Sequence, residues 1–193
     1  MVERISVATT EVKSKSLNDE TKVITRKIEP HRIKPGGTAL HEAAHVVLAD
    51  INGGIREATI IRKGYALGTT RPVKMSATTA AAAGAMGFGG TSWDQMVVER
   101  GFGASWSAAK NTARAALADN TDLMQEVAMS LEQNGRINQN HVDSARGRVE
   151  KKKQGIYPVK VEIYKYGKLS DSYTTESFHG EIEIHATSNQ RSK

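Results

Sequence analysis

His41, Glu42 and His45 lie within "TALHEAAHVVLAD" (residues 38–50), a run whose other residues are nearly all apolar. Four positions separate the two histidines, so on a helix both side chains leave one face, one turn apart. Their imidazoles can then converge on a single ion. Glu42 is offset by roughly 100° around the helix, near enough to reach a water on that ion without being a ligand. This is the H-E-x-x-H arrangement, in which two His ligands hold zinc and the Glu is the general base. The ion brings the pKa of a bound water towards neutrality, and the Glu takes its proton as that water attacks a carbonyl. With 6 His among 193 residues, chance yields the pattern in only about 1% of such chains. A buried, charged Glu beside two histidines also costs on the order of several kcal/mol unless it is paired or near a cation. The competing reading is that His41 and His45 merely satisfy buried backbone groups.

The elements that must position these residues follow from the flanking pattern. Ala39, Leu40, Ala43, Ala44, Val46, Val47, Leu48 and Ala49 make the helix apolar nearly all round, as in a buried helix. "KPGG" (34–37) favours a loop before it, and Thr38 is a candidate N-cap with Glu42 close to a capping-box position. "INGG" (51–54) closes it. "EATIIRKGYALGTT" predicts a hairpin or strand–loop–strand, with a β-rich core at Ala58–Ile61 and a tight turn near Lys63-Gly64. Residues 76–90 are Ala-rich and read as a helix broken by glycines, and Asp94–Arg100 restarts as a short helix. Residues 105–118, 121–133 and 139–149 read as three further helices, the first with a Ser cap. After "KKKQG" the period changes to two in "YPVKVEIYKYG" and "GEIEIHA", which predicts a β-hairpin or small sheet.

Composition sets the frame. At 38% apolar residues the core is modest. There is no cysteine, so disulfides and thiolate zinc sites are excluded, and a transition metal must be held by His, Asp and Glu. No apolar run is long enough to span a bilayer and nothing reads as a signal peptide, so a soluble, cytoplasmic protein with no membrane partner is expected. The net charge of +6 comes from basic residues scattered or clustered at the flanks, among them Arg146, Arg148 and Lys151–Lys153. These read as solvated faces rather than a nucleic-acid surface, and an aromatic content of 5% gives few stacking platforms. Three parts are expected: a flexible basic N-terminal segment (1–34), a mainly α domain (35–153) and a small β appendage (154–193).

The surrounding residues carry a resemblance. "ALHEAAHVVLA" followed by "EATIIRKGYALGTT" resembles the zinc-peptidase domain of the FtsH family of AAA proteases. There a helix bearing HEAGH precedes a segment reading approximately V-T-I-I-P-R-G-x-A-L-G-V-T. Thr59-Ile60-Ile61, Gly64, Ala66-Leu67-Gly68 and Thr70 match this run in register, and the helices over residues 116–145 look like the family's closing pair. The resemblance covers about residues 38–148. Ala44 stands where the family has Gly. No G-x-x-x-x-G-K-[ST] occurs, so there is no ATP site in this chain and ATP-driven unfolding is not its own activity. The resemblance implies a helical, FtsH-peptidase-like zinc-metallopeptidase domain with a short β-hairpin near the site, standing alone and trimmed.

It also implies a third ligand, an Asp in a sequence like G-A-S-N-D at a helix start. "GTSWD" (90–94) and "GASWS" (103–107) compete for that place. Ser107 would put a neutral hydroxyl where a carboxylate belongs, whereas two His and one carboxylate make a common catalytic zinc set with a fourth position open. Asp94 is therefore the expected ligand and Glu99 the second choice, while Asp50 faces about 140° away from His45. The same resemblance implies that the strand around Thr59, Ile60 and Ile61, with Gly68, flanks the cleft and pairs with an extended peptide. A plain core strand is the equal alternative.

The leading expectation is thus a zinc-dependent metalloendopeptidase acting on flexible or unfolded polypeptide, with metal ligands His41, His45 and Asp94 and Glu42 as base. The alternative is a catalytically degenerate peptidase fold that binds peptides or regulates a partner. The sequence leaves open a homo-oligomer or a partner that delivers the substrate.

Overall fold

The computed structural model describes residues 2–6, 13–18, 21–27, 35–178 and 181–185, with side chains described for 35–176. In chain order the elements begin with strands β1 (Val2–Ser6), β2 (Lys13–Asn18) and β3 (Thr21–Lys27). Helix α1 (Gly37–Ile51) follows, then β4 (Ile55–Thr59), β5 (Thr69–Pro72) and the short helices α2 (Ala77–Ala80), α3 (Ala82–Ala85) and α4 (Ser92–Met96). Next come α5 (Trp106–Leu117), α6 (Thr121–Asn134), β6 (Arg136–Ile137) and α7 (Gln139–Lys153). Strands β7 (Ile156–Lys165), β8 (Lys168–Phe178) and β9 (Glu181–His185) end the described chain. The protein is mixed α/β and divides into two units, Ile33–Val149 and a second made of Met1–Arg32 with Glu150–Lys193.

The second unit is a six-stranded antiparallel sheet in the order β1-β9-β8-β7-β3-β2. This redraws the three-part division expected from composition. The N-terminal segment is not wholly flexible, because β1 pairs Val2 with His185 and β3 pairs Thr25 with Val161. Nor is residues 154–193 a separate appendage, since it shares that sheet. "KVITRK", within the segment expected to be flexible, lies between β2 and β7. The polar run β8, absent from the period-two pattern, separates β7 from β9. Strand pairing joins the two ends of the chain here, and such non-local partners leave no mark on local composition.

The Ile33–Val149 unit is mainly helical and is built around α1. Val46, Val47 and Leu48 have no exposed surface, and Ala39, Ala43 and Ala44 pack as closely. Helices α3, α5 and α6 and strands β4 and β5 contact this helix. Its small Ala positions allow that close approach. The N-cap is Gly36 rather than Thr38, and its N–H donates to Glu132 Oε1 at 2.7 Å, so α6 supplies the capping acceptor. Thr38 falls inside the first turn.

A three-stranded sheet, β5-β4-β6, flanks α1. Its third strand is a two-residue piece of the "NGRIN" turn, which follows the left-handed Gly135 (φ 67°) that ends α6. The Ala-rich stretch becomes α2 and α3, with Gly84 lying against the Trp106 ring; a Cβ there would sit 2.5 Å from Trp106 Cζ2. After α4 a π-helical turn, Val97–Gly101, leads to α5, whose N-cap Ser105 accepts from Ala108 N. Among the described residues no helix is long and apolar enough to cross a membrane.

Candidate metal centre

The buried face of α1 presents His41 and His45 side by side, as their spacing requires. His45 Nδ1 donates to the Thr79 carbonyl at 2.8 Å, and His41 Nδ1 donates to the Gly89 carbonyl at 2.6 Å. A carbonyl only accepts, so each Nδ1 carries the proton and each Nε2 of a neutral ring offers a lone pair inward. The two Nε2 atoms are 3.2 Å apart. Asp94, in the first turn of α4, places Oδ2 at 3.4 Å from His41 Nε2 and 3.5 Å from His45 Nε2.

These three separations have a simple chemical meaning. Ligand atoms about 2.0–2.1 Å from a tetrahedral zinc lie about 3.3–3.4 Å from one another, so the triangle has the edge length of such a shell. Asp94 Oδ2 is buried and has no hydrogen-bond partner, an arrangement that costs free energy unless a cation or proton sits between the three atoms. The donor set, two imidazoles and one carboxylate, suits zinc and leaves a fourth position for water. Among the described residues His41, His45 and Asp94 are the one group of three or more His, Asp or Glu able to hold a metal ion.

Glu42 is buried on the same helix, and its Oε2 accepts from the Thr70 hydroxyl at 2.7 Å. Burial pushes its carboxyl above the usual 4.5, against the Thr70 hydrogen bond and the nearby His45 and His41, while Asp94 adds to the rise. For His45, burial pulls the pKa down, but the adjacent Asp94 carboxylate, the Thr79 carbonyl and the Glu42 charge outweigh it, so the net direction is upward from 6.5.

A cleft of about 860 Å³ opens over these groups. One side is the segment Gly68–Thr70 with Pro72, and the other is the glycine-rich approach to α4, from Gly87 to Asp94. Gly90 adopts φ 76° there, the left-handed conformation that glycine takes readily, and its position beside the His41 ring brings the approach close to that side chain. Tyr65, Leu67, Met75 and Trp93 stand exposed along the rim.

The structure thus brings together His41, Glu42, His45, Asp94 and Gly68, but not the rest of the expected substrate strand. Thr59, Ile60 and Ile61 do not line the cleft. Thr59 pairs with Thr69 on one side and Arg136 on the other, Ile60 N donates to Gly135 O, and Ile61 N to Thr59 Oγ1. That strand is central, so it has no free edge to offer a peptide; β5 is the edge strand beside the cleft. The two-residue β6, hidden in a turn, is what closes off β4. Glu99, the second choice of ligand, is exposed and accepts from Gln95. Asp50 is turned to Gln139 and Arg146.

Sequence reasoning missed the groups that orient the two imidazoles. Thr79 is held by Ser76, whose hydroxyl accepts from Thr79 N at 3.1 Å. The Ser76-x-x-Thr79 cap is a local signal for a helix start, whereas nothing marks the carbonyls of Thr79 and Gly89 as partners for histidine. No family model matches the chain, and no curated protein matches it.

Proposed function

We propose that the protein is a zinc-dependent metalloendopeptidase with an FtsH-peptidase-like helical domain. The observation that carries this reading is the triangle of His41 Nε2, His45 Nε2 and Asp94 Oδ2, with sides of 3.2–3.5 Å and an unpartnered buried oxygen at one corner. Zinc held by these three atoms supplies Lewis acidity, which makes a water acidic enough to ionise near neutral pH.

The chain's own residues do the rest. Glu42 takes the proton of the attacking water and passes it to the leaving amine. Thr70 fixes the carboxylate through Oε2 and leaves Oε1 for the proton. Thr79 and Gly89 hold the two imidazoles in one tautomer and one orientation. An extended polypeptide adds to the outer edge of β5 by main-chain hydrogen bonds, with its side chains against the apolar rim.

Acidic partners at Arg146, Arg148 and Lys151 support a structural role for these basic residues. Arg148 pairs with Glu126 at 2.8 Å, Arg146 with Asp50, and Lys151 with Glu176. The grouping of Glu42 with His41, His45 and Asp94 supports the catalytic reading over a non-catalytic binding module. The deciding experiment is metal analysis with digestion of casein and an unstructured peptide by the wild type and Glu42→Gln. One zinc per chain in both, with cleavage only by the wild type, supports the proposal. Zinc retained with no cleavage by either leaves the binding module.

A further inference from the structure

Four threonines line the cleft, and the hydroxyls of three are already engaged. Thr69 donates to the Gly68 carbonyl at 2.7 Å, Thr70 to Glu42 at 2.7 Å, and Thr79 exchanges with Ser76 at 2.9 Å. Thr38 is the exception: its hydroxyl has no partner among the described residues, although the side chain is half-buried in the cleft wall. A helical Thr ordinarily returns its hydroxyl to the carbonyl three or four residues back. Thr38 is the second residue of α1, so those carbonyls lie outside the helix.

Position on the helix gives this free hydroxyl a direction. Thr38, His41, Glu42 and His45 are spaced i, i+3, i+4 and i+7, which places all four on one face. Thr38 sits three residues, about 4.5 Å along the axis, before His41. An extended peptide advances about 3.3 Å per residue. A chain that runs along α1 with its scissile carbonyl over the two histidines passes Thr38 one or two residues away from that carbonyl. Other free donors at the cleft are poorly held, since Tyr65 is fully exposed and Trp93 is 70% exposed.

We infer that Thr38 is a substrate-positioning residue, whose hydroxyl hydrogen-bonds the main chain of an extended polypeptide one or two residues from the bond to be cut. This rests on the peptidase reading for the position of that bond, but the contact is one of binding and is measurable without cleavage. Its hydroxyl acts as donor to a peptide carbonyl or acceptor from a peptide N–H, and the helix fixes its place before the substrate arrives.

The test compares the zinc-loaded wild type with Thr38→Val, which keeps the shape and removes the hydroxyl, and with Thr38→Ser, which restores it. On an unstructured eight-residue peptide, Thr38→Val is expected to raise KM and lower kcat/KM about three- to tenfold, as for one neutral hydrogen bond. Thr38→Ser should recover most of the loss, and the loss should shrink on a peptide blocked immediately beside the scissile bond. Binding of the same peptide, fluorescently labelled, to Glu42→Gln and to Glu42→Gln with Thr38→Val is read by anisotropy in parallel. Weaker binding by the double variant supports the role of Thr38 even if the wild type cleaves nothing, in which case the peptidase reading fails alone. Equal binding with an unchanged KM, or a loss that Thr38→Ser does not recover, overturns the inference.

Discussion

Gly68 and Glu42 occupy one another's space: a Cβ built on Gly68 would lie 2.6 Å from Glu42 Oε1 and 2.7 Å from its Cγ. The general base of the proposed mechanism is thus held from one side by the Thr70 hydroxyl and confined on the other by a glycine. Gly68 earned notice in the sequence as a residue beside a substrate; in the fold it also sets where the base can stand.

Gly68→Ala is therefore expected to displace the Glu42 carboxylate while leaving the histidines alone. Zinc content should stay at one per chain and kcat should fall at least about tenfold, part of the 10²–10⁴ that a positioned base contributes. Metal analysis and peptide kinetics on the same preparation check this. An unchanged kcat would show that the carboxylate is not confined by this contact.

Asp94→Asn keeps the shape of the proposed third ligand and removes its charge. Zinc affinity is expected to drop at least about 100-fold, since a neutral amide is a poor ligand for this ion. Titration against a competing chelator measures the drop. Glu99→Gln, at the exposed acid one turn further on, should leave affinity unaltered.

The metal-free chain should lose stability as pH rises. His45 has its folded pKa raised above 6.5, so its stabilising contribution is complete below 6.5 and is lost as pH climbs through the folded value. Glu42, raised above 4.5, acts in the same direction from 4.5 upward. Zinc at the proposed site is expected to reverse the trend, because a metal binds the deprotonated side chains. Thermal unfolding with and without zinc between pH 5 and pH 8, on the order of the histidine range, should show a stabilisation by zinc that grows with pH. A zinc effect independent of pH would contradict the ligand assignment.

Ser76→Ala removes the hydroxyl that caps α2 and holds Thr79. The expected cost is about 1 kcal/mol of folding stability, with a several-fold weaker zinc affinity because the carbonyl that orients His45 is released. Denaturant unfolding of the metal-free chain and zinc titration separate the two effects.

How much of this was legible in the sequence depends on whether the information was local. The helix bearing His41 and His45, the hairpin after it, α5 with its Ser105 cap, and α6 and α7 all follow from short-range periodicity and capping. Asp94, which the structure brings beside His41 and His45, was singled out by the resemblance and then by its carboxylate, which Ser107 lacks. What could not be read depends on pairing across the chain. The end-to-end sheet joins β3 to β7, and β6 turns β4 from an edge into a central strand, which removed Thr59, Ile60 and Ile61 from the cleft. Thr38 looked like a cap until Glu132, from α6, took over the end of the helix.

X-ray absorption at the zinc edge of the purified, zinc-loaded protein tests the central claim most directly. A four-coordinate ion is predicted, with two imidazole nitrogens at about 2.0–2.1 Å and oxygens at about 2.0–2.2 Å, one imidazole being lost in His45→Ala. A protein that retains no stoichiometric zinc, or whose zinc has no imidazole neighbours, would contradict the account.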